Sequence, residues 1–171
     1  MIELEKTYLA KFIPDGLANC KSREIIDIYI PKSSLHSKLR IRKNGSKYEI
    51  TKKELINEDD ASHQKEHTIP LTKEEFEELS KLDGKKIHKI RYNYPYNGIV
   101  AEIDIFQGDL QGLVVIEFEF ATIDEKDNFD MPEFCLADVT QEDFIAGGMI
   151  CGKTYESIEQ ELIKHHYKKL N

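Results

Sequence analysis

The chain has few cysteines and no long apolar run, and both shortages narrow the classes of protein that it can represent. No stretch of about 18 consecutive apolar residues occurs, so the sequence predicts no transmembrane helix. The first ten residues alternate charged and apolar side chains and do not form the apolar stretch of a signal peptide. The three cysteines, Cys20, Cys135 and Cys151, are odd in number and widely spaced, which favours reduced thiols in the cytoplasm over a disulfide scaffold or a zinc site.

Basic residues are outnumbered, since 24 Lys and Arg stand against 32 Asp and Glu, a net charge of −8 with histidine neutral. An acidic chain is a poor default partner for DNA or for an anionic membrane, because both bind a net basic face. We therefore expect neither as a partner. A length of 171 residues without a linker or repeat predicts a single domain over residues 1–171.

Alternation of apolar and polar residues with a period of two dominates the first two thirds of the chain and predicts β-strands. The predicted strands cover residues 2–9, 25–31, 38–43, 47–53, 64–70, 86–94, 99–106 and 113–121. Asn44-Gly45 and Asn97-Gly98 are typical of two-residue hairpin turns of type I′, and the polar residues 57–62 indicate a loop. The predicted fold class is α+β, an eight-stranded antiparallel β-barrel with a few helices packed outside it.

Three helices are predicted after or between these strands. The first covers 73–82, where Thr72 and Glu75 form a capping box. The second begins near Thr140 and is ended by Gly147-Gly148. The third covers 153–169, an amphipathic segment with apolar residues at helical spacing.

Charged residues on the predicted strands are sorted by sign. Residues two apart on a strand point to the same face, and the same-sign sets are Glu3/Glu5, Arg40/Arg42, Lys89/Arg91, Glu102/Asp104 and Glu117/Glu119, with Lys53 and Glu66 on other strands. Polar outer faces are the norm for antiparallel sheets, so solvated faces are one interpretation. Solvated faces usually mix Lys with Glu, however, and single-sign pairs favour faces turned into a barrel lumen.

Charges inside a lumen need counter-charges, which a ligand can supply. Carboxylates without His or Cys suit hard metals such as Mg²⁺ or Mn²⁺, and Arg and Lys suit phosphate oxygens. Both sets together predict an anion with its metal ion, such as a polyphosphate or a nucleoside triphosphate.

The ordered set of residues resembles the CYTH superfamily, also called triphosphate tunnel metalloenzymes. The matching segments are Glu3-Leu4-Glu5-Lys6-Thr7 against an ExExK strand, Asp27-Ile28-Tyr29, Arg40-Ile41-Arg42, Thr51-Lys52-Lys53, Glu66, Lys89-Ile90-Arg91, Glu102-Ile103-Asp104 and residues 116–120. The resemblance covers about residues 2–121. It implies an eight-stranded tunnel that binds a triphosphate group and a divalent metal. Family activities include inorganic triphosphatase, thiamine triphosphatase, RNA triphosphatase and class IV adenylate cyclase.

The resemblance also implies roles for individual residues. The implied metal ligands are Glu3, Glu5, Glu117 and Glu119, with Glu102 and Asp104 as further ligands. The implied phosphate-binding residues are Arg40, Arg42, Lys53, Lys89 and Arg91. The catalytic candidates are Glu5, Glu66 and Lys89. The expected cofactor is Mg²⁺ or Mn²⁺ and the expected partner is a small-molecule triphosphate; a homodimer is left open.

Two departures from the family pattern affect the expected activity. Thr7 stands where ExExK has lysine, and strand alternation points Lys6 to the opposite face. Residues 144–148 lack the basic and Asn-containing segment of many bacterial members. Metal-assisted hydrolysis of a terminal phosphoanhydride is the favoured function; a class IV-type adenylate cyclase and a module that binds a triphosphate without turnover are the alternatives.

Overall fold

The computed structural model describes residues 2–57 and 60–170, and an antiparallel β-barrel forms its centre. The barrel strands are β1 (Ile2–Ala10), β2 (Lys21–Ile30), β3 (Leu39–Asn44), β4 (Lys47–Asn57), β5 (Asp60–Leu71), β6 (Lys85–Tyr96), β7 (Ile99–Phe106) and β8 (Val114–Phe120). Around the barrel the order is β1-β5-β4-β3-β2-β6-β7-β8, and β8 pairs with β1 to close it. The predicted eight-stranded barrel is confirmed.

One seam of the barrel is short. β1 pairs with β5 only through Ile2, Glu3 and Leu4, opposite Lys65, Gln64 and His63. Further along β1, its residues Tyr8, Leu9 and Ala10 pair with a ninth strand, β9 (Cys135–Asp138). β5 and β9 thus share one edge of β1, because β8 occupies the other edge.

The sequence predicted the eight barrel strands, although β2 and β5 each begin four residues earlier than expected, and it misjudged two connections. Residues 57–62 are not a loop throughout, because β4 and β5 extend until Asn57 pairs with Asp60; residues 58 and 59 lie outside the described ranges. The first hairpin turn is shifted by one residue, because Asn44 pairs with Lys47 and leaves Gly45 and Ser46 as the loop. Gly45 has φ 61°, whereas in the second hairpin both Asn97 (φ 46°) and Gly98 (φ 85°) are left-handed, as a type I′ turn requires.

Within the described residues, four short α-helices accompany the barrel: α1 (Lys73–Leu79), α2 (Ile123–Asp127), α3 (Gly147–Ile150) and α4 (Tyr155–Lys164). The capping box predicted for α1 is present, and α4 buries its apolar side as expected. The helix predicted to end at Gly147-Gly148 is wrong, because a 3₁₀ turn (Asp143–Ile145) comes first and α3 begins at Gly147. No helix in the described ranges is both long enough and apolar enough to cross a membrane.

The apolar core has two parts, one outside the barrel wall and one that closes an end of the lumen. One cluster, which includes Tyr8, Ile103 and Phe118, covers the outer face of β1, β7 and β8. A second cluster packs α3 and α4 against one end of the barrel. Ile103 lies between Glu102 and Asp104 in sequence, so the alternation that buries apolar residues outside turns the charged residues inward.

Candidate functional site

A cavity of about 430 Å³ occupies the barrel, and each of the eight barrel strands contributes three side chains to its lining. All twelve residues named as site candidates from the sequence line it: Glu3, Glu5, Arg40, Arg42, Lys53, Glu66, Lys89, Arg91, Glu102, Asp104, Glu117 and Glu119. The structure therefore brings the whole predicted set together around one space. Their individual roles stay predictions.

Arg91 is the centre of the first charged group. Its guanidinium donates from Nε to Asp104 Oδ1 (2.6 Å) and from Nη2 to Asp104 Oδ2 (2.5 Å), and it also binds Glu102 and Glu117. Lys89 donates to the same Asp104, which is fully buried. Three acidic side chains on β7 and β8 thus surround two cations on β6.

These contacts decide which of the buried groups stay charged. Burial alone would raise the pKa of Glu117, but the charges of Arg91 and Lys89 hold it well below its ordinary value. Burial lowers the pKa of Lys89, while Asp104 acts in the opposite direction. Glu117 is therefore a carboxylate at any pH near neutrality.

Lys53 on β4 is the centre of the second group. Its ammonium lies 2.5 Å from Glu3 Oε2, 3.4 Å from Glu5 Oε2 and 3.7 Å from Glu66 Oε2. Gln64 donates from Nε2 to Glu5 Oε1 (2.8 Å). One lysine thereby holds carboxylates from β1 and β5, the two strands that meet at the short seam.

Glu5 and Glu119 lie directly opposite each other on β1 and β8. Burial raises the pKa of Glu5, an effect that Lys53 opposes and that Glu117 and Glu3 reinforce. Burial and the neighbouring Glu102, Glu3 and Glu5 raise the pKa of Glu119. Like charges directly opposite on a sheet are unfavourable, so this pair of carboxylates gains from a cation placed between them.

The two arginines of β3 are held differently. Arg42 donates to both oxygens of buried Asp27, from Nε at 2.6 Å and from Nη2 at 2.8 Å. Arg40 lies 3.5 Å from Glu66 and directly opposite Tyr29 on the neighbouring strand. Its buried Nε finds no hydrogen-bond partner among the described residues. Arg40 thus keeps a donor that a phosphate oxygen could use.

The sequence analysis did not include Asp27, Arg23 and Tyr29 among the site residues, although all three line the cavity. Arg23 binds Glu102 (2.7 Å) and Asn93 (2.5 Å). The available signal was strand spacing, since residues 23, 27 and 29 are separated by even numbers and share a face of β2. The resemblance singled out the segment at Asp27. The pairing of Asp27 with Arg42, however, follows only from the register of β2 against β3.

Thr7 occupies the position expected from alternation. It lines the cavity, whereas Lys6 is not among the residues that do. The Thr7 amide donates to Thr140 Oγ1 (3.0 Å), and its carbonyl accepts from Val139. The position where the family pattern has lysine is therefore uncharged in this cavity.

Within the described ranges, no group of three His, Cys, Asp or Glu side chains converges closely enough to hold a metal ion as the side chains stand. Lys53 and Arg91 lie between the carboxylates that would have to converge. The donor set nevertheless fits a hard divalent cation, because it consists of carboxylate oxygens and because Glu5 and Glu119 face each other across β1 and β8. The three cysteines are free thiols, as expected.

Comparison with known proteins gives one consistent result. The CYTH domain model matches residues 15–140. An inorganic triphosphatase of Nitrosomonas europaea is 30% identical over 144 residues, which cover 83% of this chain and 91% of that protein. A crystal structure of an inorganic triphosphatase has a TM-score of 0.64 and 24% identity, covering 88% of this chain and 95% of that one. A putative adenylate cyclase of Bacillus halodurans has a TM-score of 0.53 at 13% identity, covering 99% and 92%, and shares the fold alone.

Proposed function

This chain belongs to the CYTH domain family, and we propose that it is a divalent-metal-dependent hydrolase of a triphosphate, either inorganic tripolyphosphate or an organic triphosphate. The observation that carries the proposal is the lining of the barrel by charged residues of both signs from all eight strands. Its similarity to an inorganic triphosphatase supports hydrolysis of phosphoanhydride bonds.

The balance of charge in the cavity supports a metal ion as well as an anion. Among the described residues, eleven Asp and Glu line the cavity against seven Lys and Arg. A triphosphate adds several further negative charges to this excess. Buried charges of one sign are costly unless they are balanced, so the anion and its divalent cations would enter together.

Each set of residues has a part in this proposal. Glu3, Glu5, Glu117 and Glu119 would hold the metal ion, with Glu102 and Asp104 nearby. Arg40, Arg42, Lys53, Lys89 and Arg91 would bind phosphate oxygens and stabilise the charge that spreads over the phosphoryl group in the transition state. A bound Mg²⁺ or Mn²⁺ would neutralise phosphate charge and lower the pKa of a water molecule.

Glu5 and Glu66 are the two carboxylates proposed to accept a proton from the attacking water. A general base works best when its pKa lies near the operating pH. The pKa of Glu5 is raised by burial. That of Glu66 is lowered despite burial, through the Thr68 hydrogen bond and Lys53. These pKa directions belong to the cavity without a metal ion, and both carboxylates are kept as candidates.

The proposal predicts that Glu5→Ala abolishes metal-dependent phosphate release and leaves the fold intact, because Glu5 contributes both to metal binding and to proton transfer. Released orthophosphate is measured with tripolyphosphate, thiamine triphosphate and ATP, each with Mg²⁺ and with Mn²⁺. Glu54→Ala is the matched control, since Glu54 on β4 is outside the cavity lining and pairs with exposed Lys52; it should retain activity. Full turnover by Glu5→Ala at matched metal would contradict the proposal.

Thr7 favours one alternative, a module that binds a triphosphate without hydrolysing it. The uncharged side chain at this lining position removes one cation from the site. Thermal stabilisation by tripolyphosphate without release of phosphate would support this alternative. The same assays separate cyclase chemistry, which would yield cyclic AMP and pyrophosphate from ATP.

A further inference from the structure

The chain contains two Asn-Gly dipeptides, Asn44-Gly45 and Asn97-Gly98, and each lies at the turn of a β-hairpin. In such a dipeptide the glycine nitrogen can attack the side-chain carbonyl carbon of the asparagine, because glycine has no Cβ to obstruct the approach. Asparagine is for this reason one of the chemically labile residues of proteins. The two dipeptides share this chemistry but differ in their surroundings.

The first dipeptide is held at both of the groups that would react. The side chain of Asn44 accepts from Arg23 Nε at 2.8 Å, and the Gly45 amide donates to the carbonyl oxygen of Glu24 at 2.8 Å. Both residues of the dipeptide are half-buried. Hydrogen bonds must therefore break before the nitrogen of Gly45 can attack Asn44.

The second dipeptide is free at the same two groups. Asn97 and Gly98 are both exposed. Within residues 2–57 and 60–170, neither the Asn97 side chain nor the Gly98 amide has a hydrogen-bond partner. The turn is closed only by the pairing of Tyr96 with Ile99 on either side of it. The nitrogen of Gly98 can therefore approach Asn97 without the loss of a hydrogen bond at either group.

Asn97 also lies beside the barrel cavity. It lines a groove of about 760 Å³ at the end of the barrel, together with the acidic residues Glu102, Glu119, Glu125 and Asp130. Among the described residues that line this groove there is no Lys, Arg or His. Glu102 and Glu119 line the barrel cavity as well, so the groove adjoins it. A new negative charge at position 97 would add to a surface that is already acidic.

We propose that Asn97 is a site of spontaneous modification, which adds a negative charge at this end of the cavity as the protein ages. The Gly98 nitrogen forms a bond to Cγ of Asn97 and loses its proton, while the bond from Cγ to Nδ2 breaks and ammonia leaves. Water then opens the resulting succinimide ring. Opening at the side-chain carbonyl gives aspartate, and opening at the main-chain carbonyl gives isoaspartate.

Both products place a carboxylate where the chain had a neutral amide. Isoaspartate also carries the main chain through its side-chain carbon, which lengthens a turn that is closed by two residues of fixed conformation. The modification itself is independent of the proposed function. Its effect on the site rests on that function, because it assumes that the cavity binds a triphosphate, which the added charge repels.

The first test is peptide mapping by mass spectrometry of the native protein after incubation in mildly alkaline buffer. Position 97 should gain the acid, and position 44 should react at least about tenfold more slowly, since its hydrogen bonds must break first. Equal rates at the two positions, or no reaction at position 97, would overturn the proposal.

The same incubation in urea is the control, because unfolding removes the contacts that distinguish the two dipeptides. Both positions should then react at similar rates. A difference that persisted in urea would show that the neighbouring sequence, and not the fold, protects Asn44, and would overturn the structural argument.

The second test is Asn97→Asp, which reproduces the added charge directly. The KM for tripolyphosphate should rise about two- to fivefold at low salt, the size of one exposed charge interaction, and the rise should shrink at high salt through screening. Asn19→Asp is the matched control, because Asn19 is exposed and lies outside the linings of the cavity and the groove. An Asn97→Asp variant with no larger effect than Asn19→Asp would contradict a local effect of the charge.

Asn97→Gly links the modification to ageing. Glycine suits both central positions of a type I′ turn and carries no amide to be modified. During incubation the KM of the wild type should rise towards that of Asn97→Asp, whereas the KM of Asn97→Gly should stay constant. An equal rise in both proteins would show that ageing acts elsewhere and would reject the proposed effect.

Binding measurements separate this inference from the proposed function. If the wild-type protein releases no phosphate with either metal, hydrolysis is wrong, and calorimetric binding of tripolyphosphate in the presence of Mn²⁺ replaces the KM. Weaker binding by Asn97→Asp than by wild type would support the effect of the charge. Equal binding by the two proteins, or no binding by the wild type, would reject it.

Discussion

At the scale of residues, two arginines of the cavity, Arg42 and Arg91, are held by carboxylates directly across a strand pair. Asp27 lies opposite Arg42 between β2 and β3, and Asp104 lies opposite Arg91 between β6 and β7. A buried ion pair is weak evidence for stability. Its effect here is geometric, since it fixes each guanidinium before an anion arrives, which is the condition for electrostatic catalysis.

Asp27→Asn should destabilise the protein, because it leaves buried Arg42 without a counter-charge. Breaking one partner of a buried pair costs about 3 kcal/mol, measured as the free energy of unfolding in urea at pH 7. Burial acts to raise the pKa of Asp27, but Arg42 holds it well below its ordinary value. Asp27 therefore contributes stability above the ordinary pKa of aspartate, about 3.9, and the contribution disappears as the pH falls further.

The difference between wild type and Asp27→Asn should accordingly shrink as unfolding is repeated at pH values falling from about 4 towards 2. Asp83→Asn is the control, because Asp83 is exposed and pairs with exposed Lys32; exposed pairs contribute little. A difference that stays constant over this range would show that Asp27 does not act through its charge.

At the scale of elements, side chains of a later segment reinforce the short seam between β1 and β5. The side chain of Gln141 accepts from the Ala61 amide (2.9 Å) and donates to Asp60 Oδ1 (3.1 Å). The next residue back, Thr140, accepts from the Thr7 amide of β1. Residues 140 and 141 thus join β5 to β1 beyond the point where the two strands pair.

Gln141→Ala should loosen the β4–β5 hairpin, because it removes two hydrogen bonds that hold the start of β5. Amide hydrogen exchange should become faster at the described residues of this hairpin and stay unchanged in β6 and β7, since local opening follows the loss of local contacts. Gln111→Ala, at an exposed position between β7 and β8, is the control. Uniformly faster exchange over the whole barrel would contradict a local role.

The sequence predicted the barrel strands because nearly every one has apolar residues on one face and charged residues on the other. It could not predict β9, which has four residues, too few for a period to be recognised. It also misread Gly147-Gly148 as a helix end. The close approach to Tyr29 and Ser37 that explains these glycines exists only after the chain has folded.

The site was predictable to a similar extent. Same-sign pairs two apart identified ten of the twelve lining residues, because a two-residue spacing fixes the face of a strand; Lys53 and Glu66 were added as single charges on other strands. Asp27 was part of a matching segment but was not assigned to the site, because it lies between Ile26 and Ile28, where the strand has an apolar character. Its partner Arg42 is 15 residues away, and only the register of β2 against β3 matches the two.

At the scale of the whole molecule, the proposed function implies that the excess of acidic residues in the cavity couples cation and anion binding. A metal ion would neutralise carboxylates that repel a triphosphate, and the triphosphate would supply further oxygen ligands. Each should therefore strengthen the binding of the other, since such coupling is reciprocal.

Thermal unfolding can measure this coupling. Tripolyphosphate and Mn²⁺ together should raise the unfolding midpoint by more than the sum of their separate shifts, because ligand binding to the folded state adds to stability. Orthophosphate with Mn²⁺ is the control, since it forms fewer contacts along the cavity. Purely additive shifts would show that the two ligands bind without influence on each other.

The limited pairing of β5 with β1 has a consequence for handling the protein at high concentration. Beyond Lys65, β5 continues to Leu71 with no described strand beside it on the β1 side. An open strand edge can recruit the edge of another molecule and start aggregation. Pro70 lies in this stretch and lacks the amide hydrogen that such recruitment needs. It therefore reduces the tendency of this open strand edge to aggregate.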